Sequence, residues 1–375
     1  MTSLLILSLL LFILLLFLFY LSNLLLHCFQ THPNIKLTNK NLSTKERQNT
    51  SNEIEELKIT INNLKSLNTA QGDDWKNILH KNVLDLEKLK NKIPKNNITH
   101  INSINSKIDM DKYYINHDIN PNDYNYTFNA TKYISEIFSF LNMLFLSLIV
   151  VLGCSDIVSG ENNPPTIKVL LTKPISRGKI LFSKFIASII SIVLSLLICE
   201  FLSFVIIGIT FKFGNLLSPI AVGFNFKHMD GVQNIIEKGG SSHIIPMWQF
   251  IVEVLLLQIL FIIACASLST LISVFFKSSA VSISVNFVVV TILTFTNFLM
   301  LTNSGNTPQS SFMLKILPFL FTTYSNGVML LTGNINRFTG IAFINVKISI
   351  FVLIAWTIVC YTIAHFKFTN QDVFA

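Results

Sequence analysis

The residues able to do chemistry in this chain are charged, and they fall in two settings. Asp156, Glu161, Lys168, Lys173, Arg177, Lys179 and Lys184 crowd a polar stretch between two long apolar runs. Glu200 and Glu253 stand alone inside apolar runs. The first set suits ionic docking to a surface. The second suits hydrogen bonding or proton binding away from water, because a lone carboxylate in lipid costs about 2–3 kcal/mol. Neither set amounts to a catalyst. There is no Gly-x4-Gly-Lys-Ser/Thr loop to cradle a nucleotide's phosphates, and Arg177-Gly178-Lys179 is too short to replace one. No His-Glu-x-x-His, no Cys-x-x-Cys and no Ser/His/Asp or paired-carboxylate constellation occurs. Cys28, Cys154, Cys199, Cys265 and Cys360 are scattered and read as small packing residues. The expectation is a chain that is not an enzyme, with no catalytic residue, no metal and no cofactor.

The elements that position these charges are set by a bilayer. Of 375 residues, 51% are hydrophobic and only 13% charged, which excludes an ordinary soluble domain. A bilayer core of about 30 Å needs roughly 20 apolar helical residues. Six runs qualify: Ser3–Leu26, Ile134–Cys154, Ile180–Phe211, Trp248–Phe276, Ala280–Leu301 and Val346–His365. The first is longer than a signal peptide's apolar core, lacks a basic leader and a small-residue cleavage site, and reads as an uncleaved anchor. The fold class expected is all-α: a polytopic membrane protein with about six transmembrane helices. Its parts are a first helix at 1–26, an inserted domain at 27–133, and a five-helix region at 134–375.

The insert reads as a helical hairpin. Ile54, Leu57, Ile61 and Leu64 repeat at 3–4 spacing, and so do Trp75, Leu79, Leu86, Leu89 and Ile93, with Asn82 at the intervening seam position. Gly72 can turn the chain, Asp73 or Asp74 can cap the second arm, and Pro94 ends it. The pairing is coiled-coil-like. Residues 95–133, rich in Asn and Tyr, read as irregular, and 212–248 as a mixed loop. Within 302–345, Pro318 and Asn326-Gly327 break an apolar run, giving a re-entrant or interfacial segment that needs protein around its backbone.

Orientation follows from the short loops. Lys168, Lys173, Arg177, Lys179 and Lys184 outnumber Asp156 and Glu161, Lys277 marks the turn between two crossings, and Lys367 the tail. The positive-inside rule puts all three on the cytoplasmic side, with both termini. The insert, the 212–248 loop and the broken 302–345 segment are then extracytoplasmic. Abundant Asn, Lys, Ile and Phe suit an AT-rich bacterial genome, so a bacterial plasma membrane is expected.

The stretch 155–184 has a definite local grammar. Asn163 can cap a helix opened by Pro164 and Pro165. Ile167, Leu170 and Leu171 then share one face and Lys168 and Thr172 another. Pro174 stops it, and Ser176 can cap the helix that follows. Such a short amphipathic helix either rests in the headgroup layer, its lysines on anionic lipid, or docks a cytoplasmic partner.

The pattern Asp156-x4-Glu161-x4-Thr166-x3-Leu170-Leu171-Thr172-Lys173-Pro174-Ile175-Ser176-Arg177-x6-Lys184 resembles the cytoplasmic segment of ABC-2 type transporter permeases. The layout of six crossings, with this segment after the second and a broken segment before the sixth, is similar too. Pro165 stands where that family has Gly. The resemblance implies contact with a separate ABC ATPase subunit, with a second permease copy or paralogue, and with membrane lipid. It points to Glu161, Thr166, Lys168, Leu170, Pro174, Ser176 and Arg177 as coupling residues. Glu200 and Glu253 are candidates for a substrate path; the alternatives are a hydrogen bond between helices for Glu200 and a headgroup contact for Glu253. No nucleic-acid partner is expected.

The function so implied is the permease of an ATP-driven exporter, with a peptide antibiotic or a lipid-linked compound as cargo. A non-transporting receptor or scaffold that binds a ligand through its external hairpin is the alternative. A secondary transporter relaying protons through Glu200 is a third.

Overall fold

Apolar residues at helical spacing in the polar insert build three helices: α1 (Thr44–Thr69), α2 (Asp74–Lys92) and α3 (Ile98–Asn116). They are seen in a computed structural model that describes residues 44–70, 74–94, 97–121, 129–139, 142–162, 175–229, 232–302 and 312–370. The expected crossing at Ser3–Leu26, and Gly72 and Asp73, lie outside the described residues. The chain divides into two compact units, and the first gathers α1–α3 with Leu202–Val222 and Ile236–Trp248.

The core of α1–α3 is made of two apolar clusters. One holds Leu67, Trp75, Leu79, Tyr114 and Ile119; the other holds Val83, Leu86, Leu89, Ile93, Ile104 and Ile108. The α2 stripe is thus buried, as its spacing requires. Two expectations change. The stretch read as irregular contains α3, capped by the Asn97 side chain, which accepts from the His100 backbone N–H at 3.4 Å. The α1 stripe is not a seam with α2, because Ile54, Leu57, Ile61 and Leu64 are 43%, 58%, 49% and 40% exposed. A different face of α1, with buried Glu56 and Leu67 and half-buried Ile59 and Asn63, packs inward.

Polar groups cross this interior in two chains. Asn63 donates to Asn82, whose amide donates to Asp111 Oδ2 at 2.6 Å. Glu56 pairs with His100 and with Lys107, the latter at 2.6 Å. Paired polar groups inside a helical bundle of this kind fix helix register. Burial pushes Asp111 from 3.8 to about 6, against the pull of the Asn82 hydrogen bond and nearby Lys107. Its folded value lies above its unfolded value. The stability it confers is therefore fully present below about pH 4 and fades as pH rises through about 6. Between pH 5 and 7 that is worth roughly 1 kcal/mol. Hydrogen exchange in α2 and α3 of the whole protein, corrected for intrinsic rates, should be slower at pH 5 than at pH 7. Asp111→Asn should remove the difference.

The 212–248 region, read from the sequence as a mixed loop, contains a little strand within a mostly helical fold. It carries four short strands, β1 (Pro219–Val222), β2 (Phe226–Met229), β3 (Val232–Glu237) and β4 (His243–Pro246). β1 and β4 are antiparallel, with Pro219 opposite Pro246 and Val222 opposite His243; β2 pairs with β3. Each has only four to six residues, too few for alternation to stand out in sequence. The protein is mostly helical with a little strand.

α4 (Ala130–Tyr133) and a π-helical turn, Ile134–Phe138, bring the chain to the end of the first unit's leading segment at Ile137. The second unit holds most of the apolar helical residues, beginning with a second π-helical turn, Asn142–Leu146, and α5 (Ser147–Cys154). The long helices are α6 (Arg177–Phe211), α7 (Met247–Phe275) and α8 (Ser279–Thr302). Short helices α9 (Phe312–Ile316), α10 (Gly327–Leu331) and α11 (Asn334–Thr339) precede α12 (Val346–Asn370). Among the described residues, five stretches are long and apolar enough to span a membrane: Asn142–Glu161, Arg177–Phe211, Met247–Phe275, Ser279–Leu299 and Val346–Asn370.

α7 is the most enclosed of them. Ala264, Cys265, Ala266, Ser267, Ser269, Thr270 and Ser273 are all buried, and such small residues let helix backbones approach closely. Ser147 and Thr294 share a hydrogen bond of 2.8 Å between α5 and α8. The broken segment is enclosed in protein. Asn297 donates to the Thr322 carbonyl at 2.9 Å, Trp356 to that of Phe319 at 2.8 Å, and Tyr324 to that of Pro318 at 2.6 Å. Asn326 caps α10 by accepting from the Met329 backbone N–H at 3.0 Å. Irregular backbone in an apolar setting survives only with such partners.

Candidate functional site

Residues 155–162, which follow α5, are fastened from three sides. The Ser273 hydroxyl of α7 accepts from the backbone N–H groups of Val158 and Ser159, both at 3.1 Å, and donates to Ser159 Oγ at 3.2 Å. From α8, Ser282 donates its hydroxyl to the Ser155 carbonyl. From α6, Lys184 donates to the Ile157 carbonyl at 3.3 Å and forms an ion pair with Glu161. The two charged side chains are 21% and 25% exposed, so the pair is partly shielded from solvent. Behind the loop, Val158, Leu181, Val274, Ala364 and Phe368 make one apolar cluster that also takes in α12. Gly178 lies against α12, since a Cβ there would sit 2.4 Å from His365 Nε2. A Cβ at 178 would require the His365 ring to move aside.

The arrangement is mechanical. A short chain segment is held by groups on α6, α7, α8 and α12, so displacing it loads four helices at once. It contains no nucleophile–base pair, and among the described residues no group of His, Cys, Asp or Glu can hold a metal ion.

The expected coupling residues divide accordingly. Glu161 is in the fastened loop. Ser176 occupies the position before α6, its carbonyl accepting from Lys179 and Ile180 N–H at 3.0 and 3.3 Å, and Arg177 opens that helix. Thr166, Lys168, Leu170 and Pro174 lie outside the described residues. Glu200 and Glu253 are not part of this junction. Glu200 accepts a hydrogen bond from Gln258 of α7, and Gln258 Oε1 in turn accepts from Asn142 Nδ2 at 3.4 Å. Glu253 accepts from Gln249 of its own helix at 3.0 Å.

Sequence reasoning missed Ser273, Ser282 and Gln258. For Ser273 a signal existed: Cys265, Ser269 and Ser273 recur every four residues, marking one close-packed face. Ser282 and Gln258 had none, because their partners are more than 50 residues away in sequence.

No curated protein matches this chain. A family model described as "ABC-2 family transporter protein" matches residues 1–373. With nearly the whole length covered and several membrane-length apolar helices, this multi-pass membrane protein belongs to the ABC-2 transporter family.

Proposed function

We propose that the chain is the permease of an ABC-2 exporter whose ATP is hydrolysed by a separate ATPase subunit. It works with a second permease copy or a paralogue, in a bacterial plasma membrane, with both termini in the cytoplasm. The observation that carries this reading is the family match joined to the fastened loop: residues 155–162 lead directly into the 163–174 stretch and hold four helices together. An ATPase that grips the proline-bracketed stretch through Thr166, Lys168, Leu170 and Pro174 pulls on this loop and tilts those helices. Ser176 and Arg177 complete the contact at the start of α6. Glu200 and Glu253 are placed on the substrate path in this proposal, with a peptide antibiotic or lipid-linked compound as cargo.

The test is purification in mild detergent with identification of what accompanies the chain. An ATPase subunit is expected, and Arg177→Glu should remove it while the permease stays monodisperse. If no ATPase accompanies the wild-type chain, and a cysteine placed at 168 is labelled from outside intact cells, the reading fails.

A further inference from the structure

The exposed stripe on α1 has the grammar of a two-stranded coiled coil. Ile54 and Ile61 occupy a positions and Leu57 and Leu64 d positions, the combination that favours parallel dimers over higher assemblies. The register continues to Asn68 at the next a position, a residue type that specifies two strands. The inward face of α1 is already used by α2 and α3, so this stripe has no partner within the described residues of its own unit. Large apolar side chains in line at heptad spacing on a water-facing helix mark an interface.

We propose that α1 pairs in parallel with α1 of a second copy of this chain, and that this coiled coil holds the two inserts together outside the membrane. The proposal rests on the paired-permease reading above and adds where the copies touch. Charge selects the occupant and its direction. In a parallel pair, g of one helix faces the following e of the other, which sets Glu53 against Lys58. An antiparallel pair would instead bring the e lysines, Lys58 and Lys65, against each other. Two heptads are too short to associate from dilute solution. Membrane-tethered copies meet at high effective concentration, which removes that objection.

Oxidative cross-linking in native membranes tests this. Ile61→Cys should give a disulfide-linked dimer, whereas Ser66→Cys, exposed but off the seam, should give about tenfold less. The unmodified chain controls for native cysteines. Leu57→Glu added to Ile61→Cys should reduce the yield with no loss of thermal stability, because Leu57 is already exposed. Lys58→Glu should lower it too, and Glu53→Lys added to that variant should restore it. Equal yields from positions 61 and 66, or no restoration, would overturn the seam. If native mass spectrometry still finds a dimer then, permease pairing survives without the α1 contact. If it finds a monomer, the pairing itself is lost.

Discussion

Glu161→Lys is expected to uncouple the protein without unfolding it. The variant sets two cations where Glu161 and Lys184 now pair, in a place only about a quarter exposed. At an effective dielectric near 20, like charges 4 Å apart repel by about 4 kcal/mol, and relaxation toward water leaves a fraction of that. Losing an exposed ion pair costs about 1 kcal/mol and losing this more shielded one costs more, so stability to thermal unfolding should fall by a few kcal/mol while the apolar helices stay assembled. The local consequence is larger, because Lys184 also holds the Ile157 carbonyl, next to the two N–H groups that Ser273 accepts. Repulsion at 161 releases that side of the loop. If the loop carries the ATPase stroke, ATP-driven export in reconstituted vesicles should fall at least about tenfold, the equivalent of 1.4 kcal/mol in a coupling equilibrium. The exchanged pair, Glu161→Lys with Lys184→Glu, should recover part of it. It cannot recover all, since a carboxylate cannot donate to the Ile157 carbonyl. Undiminished export by Glu161→Lys would remove the ion pair from the coupling path.

What the sequence disclosed, and what it hid, follows from the range of the physics. Apolar runs long enough to span lipid are local, so α6, α7, α8 and α12 were legible to within a few residues. The α2 stripe was legible for the same reason: Trp75, Leu79, Leu86 and Leu89 recur at the helical period and are buried. α3 was hidden by its composition, because Ile101, Ile104 and Ile108 keep helical spacing among Asn and Ser that elsewhere signal loops. The α1 stripe shows the limit of periodicity. It establishes an apolar face on α1 but not what covers it: α1 packs on α2 through Ile59 and Leu67, while Ile54, Leu57, Ile61 and Leu64 stay exposed. At the junction, the charged half of the site was visible as Glu161 and Lys184 within one motif. The half that fastens it, Ser273 and Ser282, is more than 100 residues away, where only tertiary structure brings it near.

Gln258→Leu should be among the most destabilising single changes in the apolar helices. Gln258 is buried, and its amide serves two neighbours at once, donating to Glu200 and accepting from Asn142. Among the described residues, the second carboxyl oxygen of Glu200 is buried with no hydrogen-bond partner, so Gln258 carries much of the solvation of that side chain. Leucine at 258 would strand a carboxyl group and an amide among apolar helices, at a cost of about 2–4 kcal/mol. Removing both polar partners avoids that penalty. The double variant Glu200→Leu with Gln258→Leu should therefore be more stable than Gln258→Leu alone, a departure from additivity of about 1–3 kcal/mol. Thermal unfolding in lipid nanodiscs measures the order: wild type, then the double variant, then Gln258→Leu. A strictly additive result would mean that Glu200 is solvated by something other than Gln258. Export by the stable double variant then separates two roles that the geometry allows. If export persists, the pair is a clamp between α6 and α7. If export stops in a protein that is folded, the polar pair serves transport beyond holding the two helices together.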